Sequence, residues 1–258
     1  MMRSKIVAAM LLPTVMLIGC GGEQQETQRA TSNSANLTGL WRLSFETSQS
    51  GLSADAGITY TLVDNGNQIN MTACAERQSV TLNRTGSSLR GLPVGEATIR
   101  NNDRITATGN LGDSVATKMA TSATFDMGTL SISGGDLGNI SSSNICVQSD
   151  YARILGQATQ DRYSATTLLN GQPLTFEISR MGNIAKGSYD VNRDMSEGGV
   201  QIFMKSASLK DRVNYSEMNL RNGRLTITED STVWIKGNFS AQMPNGQTVS
   251  GSFEFEKP

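Results

Sequence analysis

Four oxygen-bearing side chains, Asp190, Asn192, Asp194 and Ser196, stand at alternate positions of one short segment. Calcium loops use that spacing because a hard cation takes about six to eight oxygen ligands. Here the sixth position of such a loop is Met195 rather than glycine, and the twelfth is Gln201 rather than glutamate. The segment therefore reads as a polar hairpin loop, with calcium as the alternative and no metal expected. Gly134-Gly135-Asp136-Leu137-Gly138-Asn139 has the make-up of a glycine–aspartate calcium repeat, but it occurs once and reads as a flexible turn. The chain has no histidine. That excludes Ser-His-Asp and Cys-His catalysis and any zinc site needing imidazole. Neither Gly-x-Ser-x-Gly nor Ser-x-x-Lys occurs, and there is no P-loop or dinucleotide fingerprint. No carboxylate pair stands out for glycoside hydrolysis, and an aromatic content of 5% argues against a sugar-stacking cleft. No enzymatic activity and no cofactor are expected.

The elements around these residues read as strands. The chain has 258 residues, 37% of them hydrophobic and 17% charged. This suits short strands and turns better than helices. Lys+Arg and Asp+Glu nearly cancel at 22 against 23, which leaves no electrostatic footprint for nucleic acid. Period-two patterns recur. Trp41, Leu43 and Phe45 share one face of Leu37–Glu46, and Ile58, Tyr60 and Leu62 alternate with Thr59 and Thr61. Asn65-Gly66, Asn170-Gly171, Asn222-Gly223 and Asn245-Gly246 each fall between strand patterns and predict type I′ hairpins, since both residues accept positive φ. The last hairpin pairs Trp234–Gln242 with Thr248–Glu256. About fourteen strands are expected. Tyr151, Ile154, Leu155 and Ala158 instead stand at helical spacing and predict a short helix or linker over 149–162.

The N-terminus carries the strongest motif. Arg3 and Lys5 precede an apolar run from Ile6 to Ile18, too short for a membrane span of ~20 residues. The run ends in Leu17-Ile18-Gly19-Cys20. This tetrapeptide resembles the lipobox of bacterial lipoprotein signal peptides. The resemblance implies removal of residues 1–19 and acylation of Cys20, whose several acyl chains anchor far more firmly than one. No Asp follows Cys20, because Gly21 and Gly22 stand there. By the same resemblance this points to the outer membrane of the cell envelope, on its periplasmic or surface face. Residues 21–36 have no large apolar side chain and read as a disordered tether, roughly 20–25 Å long as a coil.

With Cys20 lipidated, Cys74 and Cys146 remain, an even number in an oxidising compartment. A disulfide between them is expected, with two buried free thiols as the alternative.

Gly39-Leu40-Trp41 resembles the Gly-x-Trp start of lipocalins and lipocalin-like bacterial domains. That implies an up-and-down barrel with an apolar interior, in which Trp41 is structural and closes the bottom. The stretch Leu225–Phe255 is similar to the last hairpin of some bacterial lipoprotein β domains of unknown function, which bears on fold alone. The expectation is an all-β protein of antiparallel strands, as two barrel or sandwich units. In this reading 1–19 is the signal peptide, 20–36 the lipidated cysteine and tether, and 37–148 the first β unit. A linker or short helix spans 149–162, and 163–258 is the second unit. The expected function is that of a lipid-anchored, non-enzymatic envelope lipoprotein, a binding or scaffold module for another envelope component. The alternative is a lipocalin-like carrier or sensor of a small apolar ligand.

Overall fold

The computed structural model describes residues 35–49, 52–92, 95–109, 112–154, 160–193 and 198–258. Its first eight strands are β1 (Gly39–Gln49), β2 (Leu52–Asp64), β3 (Gln68–Ala73), β4 (Ser79–Thr85), β5 (Ser88–Leu92), β6 (Gly95–Asn101), β7 (Arg104–Gly109) and β8 (Gly112–Ala120). Each pairs antiparallel with the next, and β1 also pairs with β8. The sheet thus closes on itself as an eight-stranded up-and-down barrel, which removes its edges. The alternation read from the sequence aims Trp41, Leu62, Ile69, Leu82, Leu89, Ile99 and Ile105 at one apolar interior.

The rest of the chain builds a sandwich from β9 (Gly128–Gly134), β10 (Gly138–Ser142), β11 (Cys146–Ile154), β12 (Gln160–Leu169), β13 (Gln172–Met181), β14 (Gly187–Val191), β15 (Gln201–Lys205), β16 (Glu217–Asn219), β17 (Arg221–Asp230), β18 (Trp234–Gln242) and β19 (Thr248–Glu256). One layer continues the barrel sheet, because β11 pairs with the far half of β2 and is followed by β12, β13, β15 and β16. The other is a six-stranded sheet in the order β10-β9-β19-β18-β17-β14. Between them lies the larger core, centred on Phe176, Phe239, Phe253 and Phe255.

In the last hairpin Gly237 stands opposite Phe253, and Phe239 opposite Gly251. Each ring lies over its partner glycine. A Cβ on Gly237 would fall 2.7 Å from the Phe253 ring, and one on Gly251 would fall 2.6 Å from the Phe239 ring. The two Gly-x-Phe triplets therefore let two rings occupy the surface of one hairpin.

All-β architecture with a barrel and a sandwich agrees with the expectation, whereas four details differ, the first being nineteen strands among the described residues in place of about fourteen. The helix expected over 149–162 is absent where the chain is described. Cys146–Ile154 hydrogen-bonds to β2 on one side and β12 on the other. A helix of that length is marginal alone, and two-sided pairing outweighs four apolar residues at helical spacing. Residues 155–159 lie outside the described residues. The division into units also moves, because the barrel ends at Ala120 and β9, inside the expected first unit, pairs with β19. Residues 149–154 and 160–162 belong instead to the paired strands β11 and β12. Of the four Asn-Gly pairs, only Asn170-Gly171 has positive φ at both residues. Gly66 and Gly246 alone are left-handed in their turns, and Asn222-Gly223 lies in a β-bulge where the chain passes between sheets.

Candidate functional site

One end of the barrel is closed by packed side chains. At the closed end Trp41 is 0% exposed, and its Nε1 donates to the Leu37 carbonyl at 2.8 Å. Residues 35–38 are strapped there. Asp64 Oδ2 accepts from Leu37 N at 2.9 Å and from Arg84 Nη1 at 3.0 Å, and Arg84 also reaches the Ala35 carbonyl. Lys118 lies over the Trp41 ring at 5.2 Å and donates to the Asn36 carbonyl. The Arg84–Asp64 pair is almost fully buried, and the additional backbone hydrogen bonds are what such a pair needs to offset its desolvation.

Farther along the barrel the next inward positions differ by side. Leu43, Tyr60, Met71 and Val80 come from β1–β4, whereas β5–β8 supply Gly91, Ala97, Ala107, Ser114 and Ala116, with Ser114 Oγ donating to the Ala107 carbonyl. Val80 is 44% exposed although its cross-strand partner Met71 packs on the barrel core. Tyr60 is 8% exposed, and its hydroxyl, which makes no hydrogen bond among the described residues, is not sealed from solvent. Burial raises its pKa above the ordinary phenol value, so the group stays a neutral O–H, able to donate and to accept. An inward face of small side chains opposite larger ones, with one phenol O–H beside them, offers a small ligand apolar contact and one polar partner.

The expected disulfide is present. Cys74 and Cys146 are bonded with their Cα atoms 5.6 Å apart, and both are fully buried. Here the barrel meets the sandwich. Thr59 Oγ1 donates to the Val147 carbonyl at 2.7 Å. Arg77, three residues beyond Cys74, donates to Asn144 Oδ1 and to the Asn144 and Thr166 carbonyls, and its guanidinium lies 4.3 Å from the Phe125 ring centroid. Burial pulls Arg77 down to about 10, which leaves it charged at neutral pH.

The remaining candidates are placed as follows. Cys20 and its lipobox lie outside the described residues. Asp190 is exposed and pairs with Arg224 at 3.1 Å, and the Asn192 N–H donates to the Val200 carbonyl. Asp194 and Ser196 lie outside the described residues. Among the described residues no group of three or more Asp, Glu, Cys or His is arranged to hold a metal. Gly135–Leu137 is a 3-10 turn between β9 and β10, where Asp136 Oδ2 accepts from Gln247 Nε2.

One titratable cluster has no signal in the sequence. Asp161 Oδ2 accepts from Ile184 N at 2.7 Å. Burial raises its pKa, the Ile184 N–H opposes this, and the nearby Asp230 carboxylate adds to it. Tyr163 is pushed up to about 12 by burial and by the same two carboxylates. Lys257 bonds to Asp230. A carboxyl whose folded pKa is raised holds its proton more tightly when folded. Its charged form therefore disfavours folding at neutral pH, and the penalty fades as pH falls through the folded pKa toward the unfolded value near ~3.9. Asp161→Asn, which keeps an acceptor for Ile184, is expected to melt above the parent at pH 7 and level with it at acid pH. Melting curves across pH check this, and a variant less stable at pH 7 contradicts it.

The fold and these sites define an all-β protein with a closed barrel fused to a sandwich through a disulfide. No protein-family model matches the chain, and no curated protein or solved structure matches it either.

Proposed function

We propose that this chain is a lipid-anchored, non-enzymatic binding protein of the bacterial cell envelope, held at the outer membrane through Cys20, and that its barrel carries a small apolar ligand. The observation that carries the second half is the inward arc of small side chains on β5–β8 facing Val80, an inward residue left 44% exposed. The Tyr60 hydroxyl beside it, free of hydrogen bonds to the described residues, can pair with one polar group of an otherwise apolar ligand. The Gly91–Ala97–Ala107–Ala116 arc supplies the room, and the packing of Trp41 closes the opposite end. The Leu17-Ile18-Gly19-Cys20 motif supports the anchor. The chain enters the barrel at its closed end, where Ala35 and Leu37 are held by Arg84 and Asp64.

Cys20→Ser is expected to release the protein from the membrane fraction. Native mass spectrometry of the released protein is expected to show an added mass of a few hundred daltons, lost on denaturation. Ala107→Trp, which fills the small-residue arc, abolishes the added mass, and Tyr60→Phe reduces its occupancy. Retention of Cys20→Ser in the membrane defeats the anchor, and a bare parent mass defeats the carrier.

A further inference from the structure

A second site lies in the sandwich, apart from the barrel. Strand β16 is the last of its sheet. Ser206 N donates to the Ser216 carbonyl and Leu220 N to the Ile202 carbonyl. With Met218 opposite Met204, residues 216, 218 and 220 therefore turn their backbone groups toward β15. By the alternation of an antiparallel ladder, the N–H and C=O of Glu217 and Asn219 point the other way. Among the described residues they meet no partner. They open onto a groove of about 370 Å³ lined by Arg193, Phe203, Glu217, Met218, Asn219, Arg221 and Pro244.

Three features make this more than a bare edge. The Asn219 side-chain oxygen is buried in the groove wall without a hydrogen-bond partner, which leaves an acceptor waiting for a donor. Phe203 and Pro244 give the groove an apolar side. Its charge is also lopsided. Glu217 is held by Lys205 at 2.8 Å, while Arg193 and Arg221 bring two guanidiniums, the latter steadied by a bond to the Pro244 carbonyl at 2.8 Å. Natural edges are usually covered or blunted. This one keeps four backbone hydrogen-bonding groups open beside two cations.

We propose that the groove receives an extended peptide segment of another protein that carries a carboxylate and adds as a strand to β16. Its backbone pairs with Glu217 and Asn219 as in strand addition. One of its donors satisfies Asn219 Oδ1. Its carboxylate lies against the Arg193 and Arg221 guanidiniums, whose planar forks suit it better than a lysine would. The ligand class is thus an acidic β-strand, and the partner a protein with such a segment exposed.

The test uses the full chain and a fluorescein-labelled peptide, acetyl-Thr-Val-Asp-Val-Thr-Val-amide, beside its counterpart with Lys in place of Asp. Fluorescence anisotropy is expected to show the Asp peptide binding about tenfold tighter. Hydrogen exchange is expected to show new protection at the amides of Glu217 and Asn219. N-methylating the peptide at alternate amides removes binding without touching the protein. Arg193→Glu with Arg221→Glu reverses the preference to the Lys peptide, a gain that a misfolded variant would not show. Equal binding of both peptides, protection elsewhere in the chain, or tolerance of N-methylation overturns the proposal. So does self-association that the double reversal abolishes, since the occupant would then be a second copy of this chain.

Discussion

Replacing both Cys74 and Cys146 with alanine is expected to lower stability by ~4 kcal/mol. The bridge joins residues 72 apart, and closing so long a loop in the unfolded chain removes entropy worth about that much. The site favours the full effect, because both cysteines are buried and the surrounding chain is already held by the Thr59–Val147 and Arg77–Asn144 hydrogen bonds. For a domain of this size the shift in Tm is about 10 °C. Guanidinium unfolding of the Cys20→Ser protein with and without the bridge measures the difference. Hydrogen exchange is expected to rise first around Cys74–Arg77 and Asn144–Val147, where the barrel meets the sandwich. A loss under about 1 kcal/mol, small beside what removing a native bridge usually costs, would show that the junction is held by its hydrogen bonds and apolar contacts instead. Arg77 is the residue to examine in that case, because its three acceptors come from the sandwich side of the junction.

How much of this was legible in the sequence depended on distance along the chain. The hairpin of Trp234–Gln242 and Thr248–Glu256 reads directly, because its alternation and its turn are local. The interior face of the barrel was legible for the same reason, with Trp41, Tyr60 and Leu62 all on the expected side. The pairing of β9 with β19 was not, since Leu130 and Phe253 meet across more than half the sandwich sequence and nothing in Gly128–Gly134 names its partner. The misread stretch at 149–162 is the same failure. Its local pattern favoured a helix, and long-range pairing with β2 and β12 decided otherwise. Asn-Gly marks a turn at three of its four positions, while Asn222-Gly223 lies within β17, and the turn type follows only at Asn170-Gly171, because Gly66 and Gly246 reach positive φ without their asparagines. Among site residues, the cysteine pair was found by counting. For Tyr60 the sequence places the ring on a strand face, but what its hydroxyl meets depends on the packing of neighbouring strands. Asn219 and Arg77 carried no signal, because each is defined by what lies across a junction or groove.

Phe176→Ala is expected to destabilise the protein by ~3–5 kcal/mol, the range for deleting a fully buried phenylalanine. Phe176 comes from β13 in one layer of the sandwich and is 0% exposed. Its ring centroid lies 5.3 Å from that of Phe239, 6.0 Å from Phe253 and 6.3 Å from Phe255, all from the opposite layer. It is therefore the ring on which the two sheets meet, and its removal opens a cavity that the facing strands cannot collapse into without moving apart. The paired Gly-x-Phe triplets limit that relaxation. Phe239 and Phe253 each rest over a glycine of the neighbouring strand, so neither can tilt into the void without uncovering backbone. Phe176→Leu is expected to cost less, because it keeps most of the volume. Leu168→Ala, on the neighbouring strand but 48% exposed, is expected to stay within about 0.5 kcal/mol. Chemical denaturation of the three variants gives the ordering directly. A Phe176→Ala loss no larger than that of Leu168→Ala would mean that the aromatic cluster does not join the layers, and that the aliphatic residues between the two sheets, such as Leu174, Ile178, Leu225 and Ile235, hold them together without it.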